Sequence, residues 1–259
     1  MLHLIRTEWL KIKPYRAFWV MVGLAVAIIP AGNYIAAEIT SQIVSKTKEL
    51  IAVAPYDFPL IWQSIANVNS YMTALFAIPM IILVTNEFTY KTHRQNIIDG
   101  WERREFVLAK LFWWLALSLL AFLTTVITAL VLGLAYGAHP LSFENFEYLF
   151  YYLLQVLLSL GIATLIAVLV RRSGLAIVLY LCYIMIVEQV LVLVLKRNFG
   201  EIGGLLPLQT GDELIPFPVI GKLMNNADHY DDGVYLLVLC LYIGLMIFLV
   251  FRRMLKTDY

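Results

Sequence analysis

NEFTYKTHRQNIIDGWERREFVLAKL, residues 86–111, is a charged island between two long apolar runs. It carries Lys91, Arg94, Arg103, Arg104 and Lys110 against Glu87, Asp99, Glu102 and Glu105. Residues 61–85 before it hold no charged side chain, and neither do residues 111–138 after it. A run of about 20 apolar residues spans a bilayer as a helix. The island therefore reads as a polar segment joining two membrane helices, a handle that a soluble partner can hold.

Composition supports that frame. Of the 259 residues 61% are hydrophobic and 14% charged, with a mean hydropathy of +0.81. Soluble domains carry about 25% charged residues. The chain is thus expected to be an all-α polytopic membrane protein in a single transmembrane domain, residues 1–259. Cys182 and Cys240 both lie inside apolar runs, which predicts two buried thiols rather than a disulfide or a metal site.

Six runs are long enough to cross: 17–37, 61–85, 106–138, 148–170, 173–195 and 233–251. The first follows a charged lead and is expected to stay as a span rather than be removed as a signal. In residues 1–13, Leu2, Ile5, Trp9 and Ile12 recur at helical spacing with Arg6, Lys11 and Lys13 elsewhere on the wheel. That pattern predicts an amphipathic interfacial helix, ended by Pro14. Pro30 and Pro79 are expected to kink the first two spans. The third run, at 1.5 Å per residue, overshoots a bilayer core of about 30 Å. It should extend, tilt, or stop early near Gly133 and Gly137.

Charge placement sets the orientation. With the amino terminus inside, only Lys46, Lys48, Lys196, Arg197 and Lys222 of the 19 lysines and arginines fall outside. The positive-inside rule then puts both termini in the cytosol. Short connections at Arg171 and Arg172 and at 139–147 predict antiparallel neighbours. The outer loop, 196–232, contains GGLLPL (203–208) and LIPFPVIGKLM (214–224). Such apolar pieces suit a re-entrant segment or a packed cap better than a solvated loop.

The sequence carries no catalytic signature. The four histidines lie far apart, and neither an HExxH pair nor a G-x-S-x-G elbow occurs. Gly221 and Lys222 are followed by Leu223, with no Walker glycine before them. No enzyme activity, metal or cofactor is expected in this chain, and no nucleic-acid partner. One ionisable group interrupts a span, Glu188 in the fifth run. A carboxylate at that depth costs a few kcal/mol unless it faces a bundle interior or cavity. Glu188 either lines a translocation path, with Gln189, Asn33 or Gln155 as polar company, or makes an interhelical hydrogen bond.

The island and the topology together resemble the integral membrane subunits of ABC-2-type ATP-driven transporters. The resemblance spans the chain: a lead beginning LIRTEWLKIK, six spans, and a long outer segment before the last. Its most specific part is a glutamate closing the second span, then a threonine, a glycine before an arginine, and a lysine entering the third span. Here those are Glu87, Thr92, Gly100, Arg103 and Lys110. Lys91 stands where the family has a small residue.

Physically, Thr92 suits the cap of a short helix that Gly100 would end. Ile97 and Ile98 give that helix an apolar side. Arg94, Arg103 and Arg104 suit carboxylates on a partner, while Glu87 orients the turn. The resemblance implies that residues 86–105 form the coupling segment to a separate ABC ATPase, which holds the ATP and magnesium. It also implies pairing with a second permease subunit, identical or different, and export across a cell membrane, that of a bacterial inner membrane. The residues leave two alternatives: a proton- or ion-coupled carrier using Glu188, and a non-transporting anchor for a cytosolic protein.

Overall fold

A computed structural model of the chain describes residues 2–46, 54–90, 92, 103–218 and 230–255. Among these residues the structure is helical and contains no strand. A helix satisfies its backbone within one segment, which is what a bilayer demands. The elements are α1 (Leu2–Ile12), α2 (Arg16–Lys46), α3 (Ile61–Ser70), α4 (Ala74–Thr89) and α5 (Arg103–Tyr136). Then come α6 (Glu147–Val170), α7 (Ser173–Cys182), α8 (Glu188–Phe199), α9 (Pro207–Leu214) and α10 (Asp232–Leu255). Five helical stretches are long and apolar enough to cross a membrane, and α3 with α4 makes a sixth if counted as one broken span. The protein is thus a multi-pass membrane protein.

Helix α6 is the axis of the bundle. It packs against α3, α4, α5, α7, α9 and α10. Small residues let the neighbours approach, as is usual between membrane helices. A Cβ on Gly161 would sit 2.6 Å from the Trp114 ring of α5, and the Trp114 indole donates to the Leu157 carbonyl at 2.8 Å. By contrast α2, α7, α8 and α10 turn broad apolar faces outward, through residues such as Val20, Val178, Leu193 and Leu241.

The second span bends by 46°. The bend falls at residues 71–73 and not at Pro79, which lies inside α4. Polar contacts lie beside it. Asn69 receives a hydrogen bond from Asn33 of α2 at 2.6 Å and donates to Thr125 of α5 at 3.0 Å. Ser70 bonds back to the Asn67 carbonyl at 2.8 Å, a local side-chain bond of the kind that accompanies helix bends. Pro30 likewise lies within the continuous helix α2.

Helix α5 has 34 residues, about 50 Å at 1.5 Å per residue. The fifth span is continuous from Ser173 to Leu205 but changes pitch at Tyr183–Val187, a π-helical turn. Ala176, Tyr180, Glu188 and Val192 are the buried residues flanking that turn. They fall at multiples of four residues, four, eight and four apart, and each four-residue step drifts by about 40° in an α-helix. The wider turn absorbs the drift and returns Glu188 to the face that Tyr180 occupies.

Candidate functional site

The end of the bundle that carries α1 holds a buried cluster of charge. Lys110, near the start of α5, is 1% exposed. Its ammonium lies 2.6 Å from Glu8 Oε2 and 2.6 Å from Glu87 Oε1. Lys11, one turn along α1, reaches Glu8 Oε1 at 2.9 Å and Glu87 Oε1 at 3.5 Å. The Thr92 hydroxyl donates to the other oxygen of Glu87, and the Phe106 ring lies 5.4 Å from the Lys110 ammonium. Two cations and two anions thus neutralise one another, with Glu8, Glu87 and Lys110 buried and Lys11 partly exposed. Removing one member of such a set leaves the others less well compensated in a low-dielectric site.

Three elements meet at this point. Helix α1 is short because Pro14 supplies no N–H and stops it. It buries Glu8 and Ile12 against the body while Trp9 and Leu10 stay exposed. Aromatic rings complete the attachment: Trp9 stacks on Trp113 with centroids 6.3 Å apart and meets Trp19 edge-on at 5.6 Å. The Trp19 indole donates to the Ile12 carbonyl at 3.2 Å. Glu87 comes from the last turn of α4. Beside it, Phe88 receives the Arg171 guanidinium 5.2 Å from its ring centroid. Arg171 occupies the left-handed region, φ 60°, where α6 ends. A cavity of about 260 Å³ lies beside the cluster, bounded by Lys11, Tyr15, Phe18, Leu83, Tyr90 and Thr92 among others.

Of the sequence-chosen coupling residues, the structure brings Glu87, Thr92 and Lys110 together. Arg104 is exposed at the start of α5. Arg94, Ile97, Ile98 and Gly100 lie outside the described residues, as does the side chain of Arg103, and so do residues 93–100 of the helix expected over 92–100. Sequence reasoning missed Glu8. Its signal was present, however: it is the single acid in α1, and an unexplained charge beside an apolar stripe asks for a partner.

The opposite half of the bundle holds a second polar assembly, built around α9. Glu188 Oε1 accepts the backbone N–H groups of Leu208 at 2.5 Å and Gln209 at 3.2 Å. It therefore caps the first turn of α9, where the helix dipole favours negative charge. Gln155 of α6 donates to Asp212 at 2.7 Å. The segment after α9 is held by Asn67 on the Ile215 carbonyl at 2.6 Å and Gln63 on the Pro216 carbonyl at 2.7 Å. Burial pushes the Asp212 carboxyl up to about 6, although the Gln155 and Ser70 hydrogen bonds pull the other way. On the rim Lys196 pairs with Glu213.

The four sequence-chosen path residues therefore separate. Glu188 and Gln155 both hold α9, Asn33 belongs to the Asn69–Thr125 link, and Gln189 is exposed. Among the described residues no cluster of histidine, cysteine and acidic side chains has the make-up of a metal site. Compared with known proteins, residues 4–199 match a family model described as ABC-2 family transporter protein. No curated protein matches the chain.

Proposed function

The chain belongs to the ABC-2 transporter family, and on that premise we propose that it is an exporter's membrane subunit, driven by a separate ATPase chain that docks on residues 92–100. Two such subunits would pair, giving twelve spans, with both termini in the cytosol of a bacterial cell and ATP and magnesium held by the ATPase. One observation carries the reading: the buried Glu8–Lys110–Glu87 set joins α1, α4 and α5 at the root of the segment 91–102. A force applied to that segment passes to three helices together, because none can move without stranding a charge. ATP-driven closure of the ATPase pair then biases the bundle between inward and outward states, to the extent that the nucleotide state binds one better than the other.

The α9 assembly gives this account its outer element. Glu188 Oε1 accepts two backbone N–H groups of α9, which supports a clamp on α9 over a carrier's proton site. Opening outward would release that clamp.

The test is co-purification with ABC ATPases encoded beside the gene. The wild-type chain should retain one of them, and Ile97→Asp or Arg94→Glu should abolish the complex or its ATP turnover. An unchanged complex with unchanged turnover in both variants overturns the docking assignment.

A further inference from the structure

A second cavity, of about 430 Å³, lies between α6 and α10 and is lined by Leu165, Leu169, Leu249, Arg252 and Arg253. Its volume is within the range of small-molecule sites, about 300–1,000 Å³. Its chemistry is graded along the helix axes. Leu165 and Leu169 are one turn apart on α6, and Leu249 precedes Arg252 by three residues on α10. Leu165 and Leu249 thus lie about one turn further from the helix ends than Leu169 and the two guanidiniums. Arg172, just beyond α6, adds a further exposed cation at that end. Arg252 is exposed and makes no ion pair with a described residue. An apolar floor with a cationic rim has the polarity of a phospholipid standing in one leaflet. A guanidinium matches phosphate oxygens with two parallel hydrogen bonds, and basic pockets between membrane helices select anionic headgroups.

We propose that this cavity binds one anionic phospholipid, its phosphate on Arg252 with Arg253 beside it and an acyl chain along the three leucines. Only the name of the leaflet, cytosolic, rests on the orientation proposed above.

The experiment is native mass spectrometry of the purified full-length chain. It is given phosphatidylglycerol and phosphatidylcholine of identical acyl chains, and separately phosphatidylglycerol with millimolar inorganic phosphate. The wild type should retain phosphatidylglycerol preferentially. Arg252→Gln should lower that retention about tenfold, the loss of a charge-assisted hydrogen bond. Leu169→Trp, which fills the floor, should lower retention of both lipids, and melting curves of the variants confirm that they are folded. Equal retention of the two lipids by the wild type overturns the proposal, as does wild-type retention by both folded variants. Displacement of the lipid by inorganic phosphate also overturns it, by showing a free-anion site. No ATPase enters the measurement, so failure of the docking assignment leaves this result standing.

Discussion

The two buried charge assemblies solve one problem in opposite ways. At the α1 end, Glu8 and Glu87 face the ammonium groups of Lys110 and Lys11. Around α9, Glu188 and Asp212 face backbone N–H groups and an amide. An ion pair in low dielectric is strong while intact and leaves a bare charge when broken. A carboxylate held by N–H donors tolerates loss of its charge, because a neutral amide oxygen accepts the same bonds. The first assembly suits a joint that must transmit motion without parting. The second suits a latch that must open.

The comparison breaks most visibly at Lys110. Lys110→Met leaves two carboxylates buried together and should destabilise the chain by about 3–5 kcal/mol. The readout is melting temperature in detergent. A loss below about 1 kcal/mol would mean that the cluster is hydrated and the joint is soft. Next comes Gly211, where a Cβ would meet the Gln155 side chain at 2.7 Å. Gly211→Ala should displace α9 and cost about 1–3 kcal/mol, while leaving the α1 end intact by cross-linking between positions 8 and 110. Glu188→Gln should cost less, about 1 kcal/mol, since its acceptor oxygen survives. A loss as large as that of Lys110→Met would erase the contrast between joint and latch.

The smallest effect concerns pH. Asp212 is pushed up to about 6 in the folded protein, above the ordinary carboxylate value of about 3.9. The folded state then holds a proton that the unfolded chain releases, so stability falls as pH rises between those values. Asp212→Asn should raise the melting temperature at about pH 8 and leave it unchanged at about pH 3. A gain equal at both would show that the change is packing and not titration.

Membrane helices were legible in the sequence because hydropathy over twenty residues is a one-dimensional signal. So was part of the joint: Glu87, Thr92 and Lys110 stand out as polar residues at the mouths of apolar runs. Glu8 was not legible as their partner, because 102 positions separate it from Lys110 and nothing local in α1 encodes that distance. The bend was misplaced for a related reason. Proline marks a missing N–H, whereas the break at 71–73 lies beside Asn69, which is bonded to Asn33 and Thr125 of other helices. Glu188 was recognised as a buried carboxylate, yet its use depended on where α9 folds back. The exposure of Gln189 follows from the adjacent π-helical turn, which residue spacing suggests only once the buried face is known.

The central claim is that the Glu8–Lys110–Glu87 joint transmits motion from the ATPase to the bundle. The direct measurement is the ATP turnover of the purified complex carrying Glu8→Gln, beside the amount of ATPase it retains. This substitution removes one charge but leaves Lys110 paired with Glu87 and residues 92–100 untouched. The account predicts that the ATPase stays bound while turnover coupled to transport falls about tenfold, equivalent to about 1.4 kcal/mol. Retained binding with full coupled turnover would contradict it.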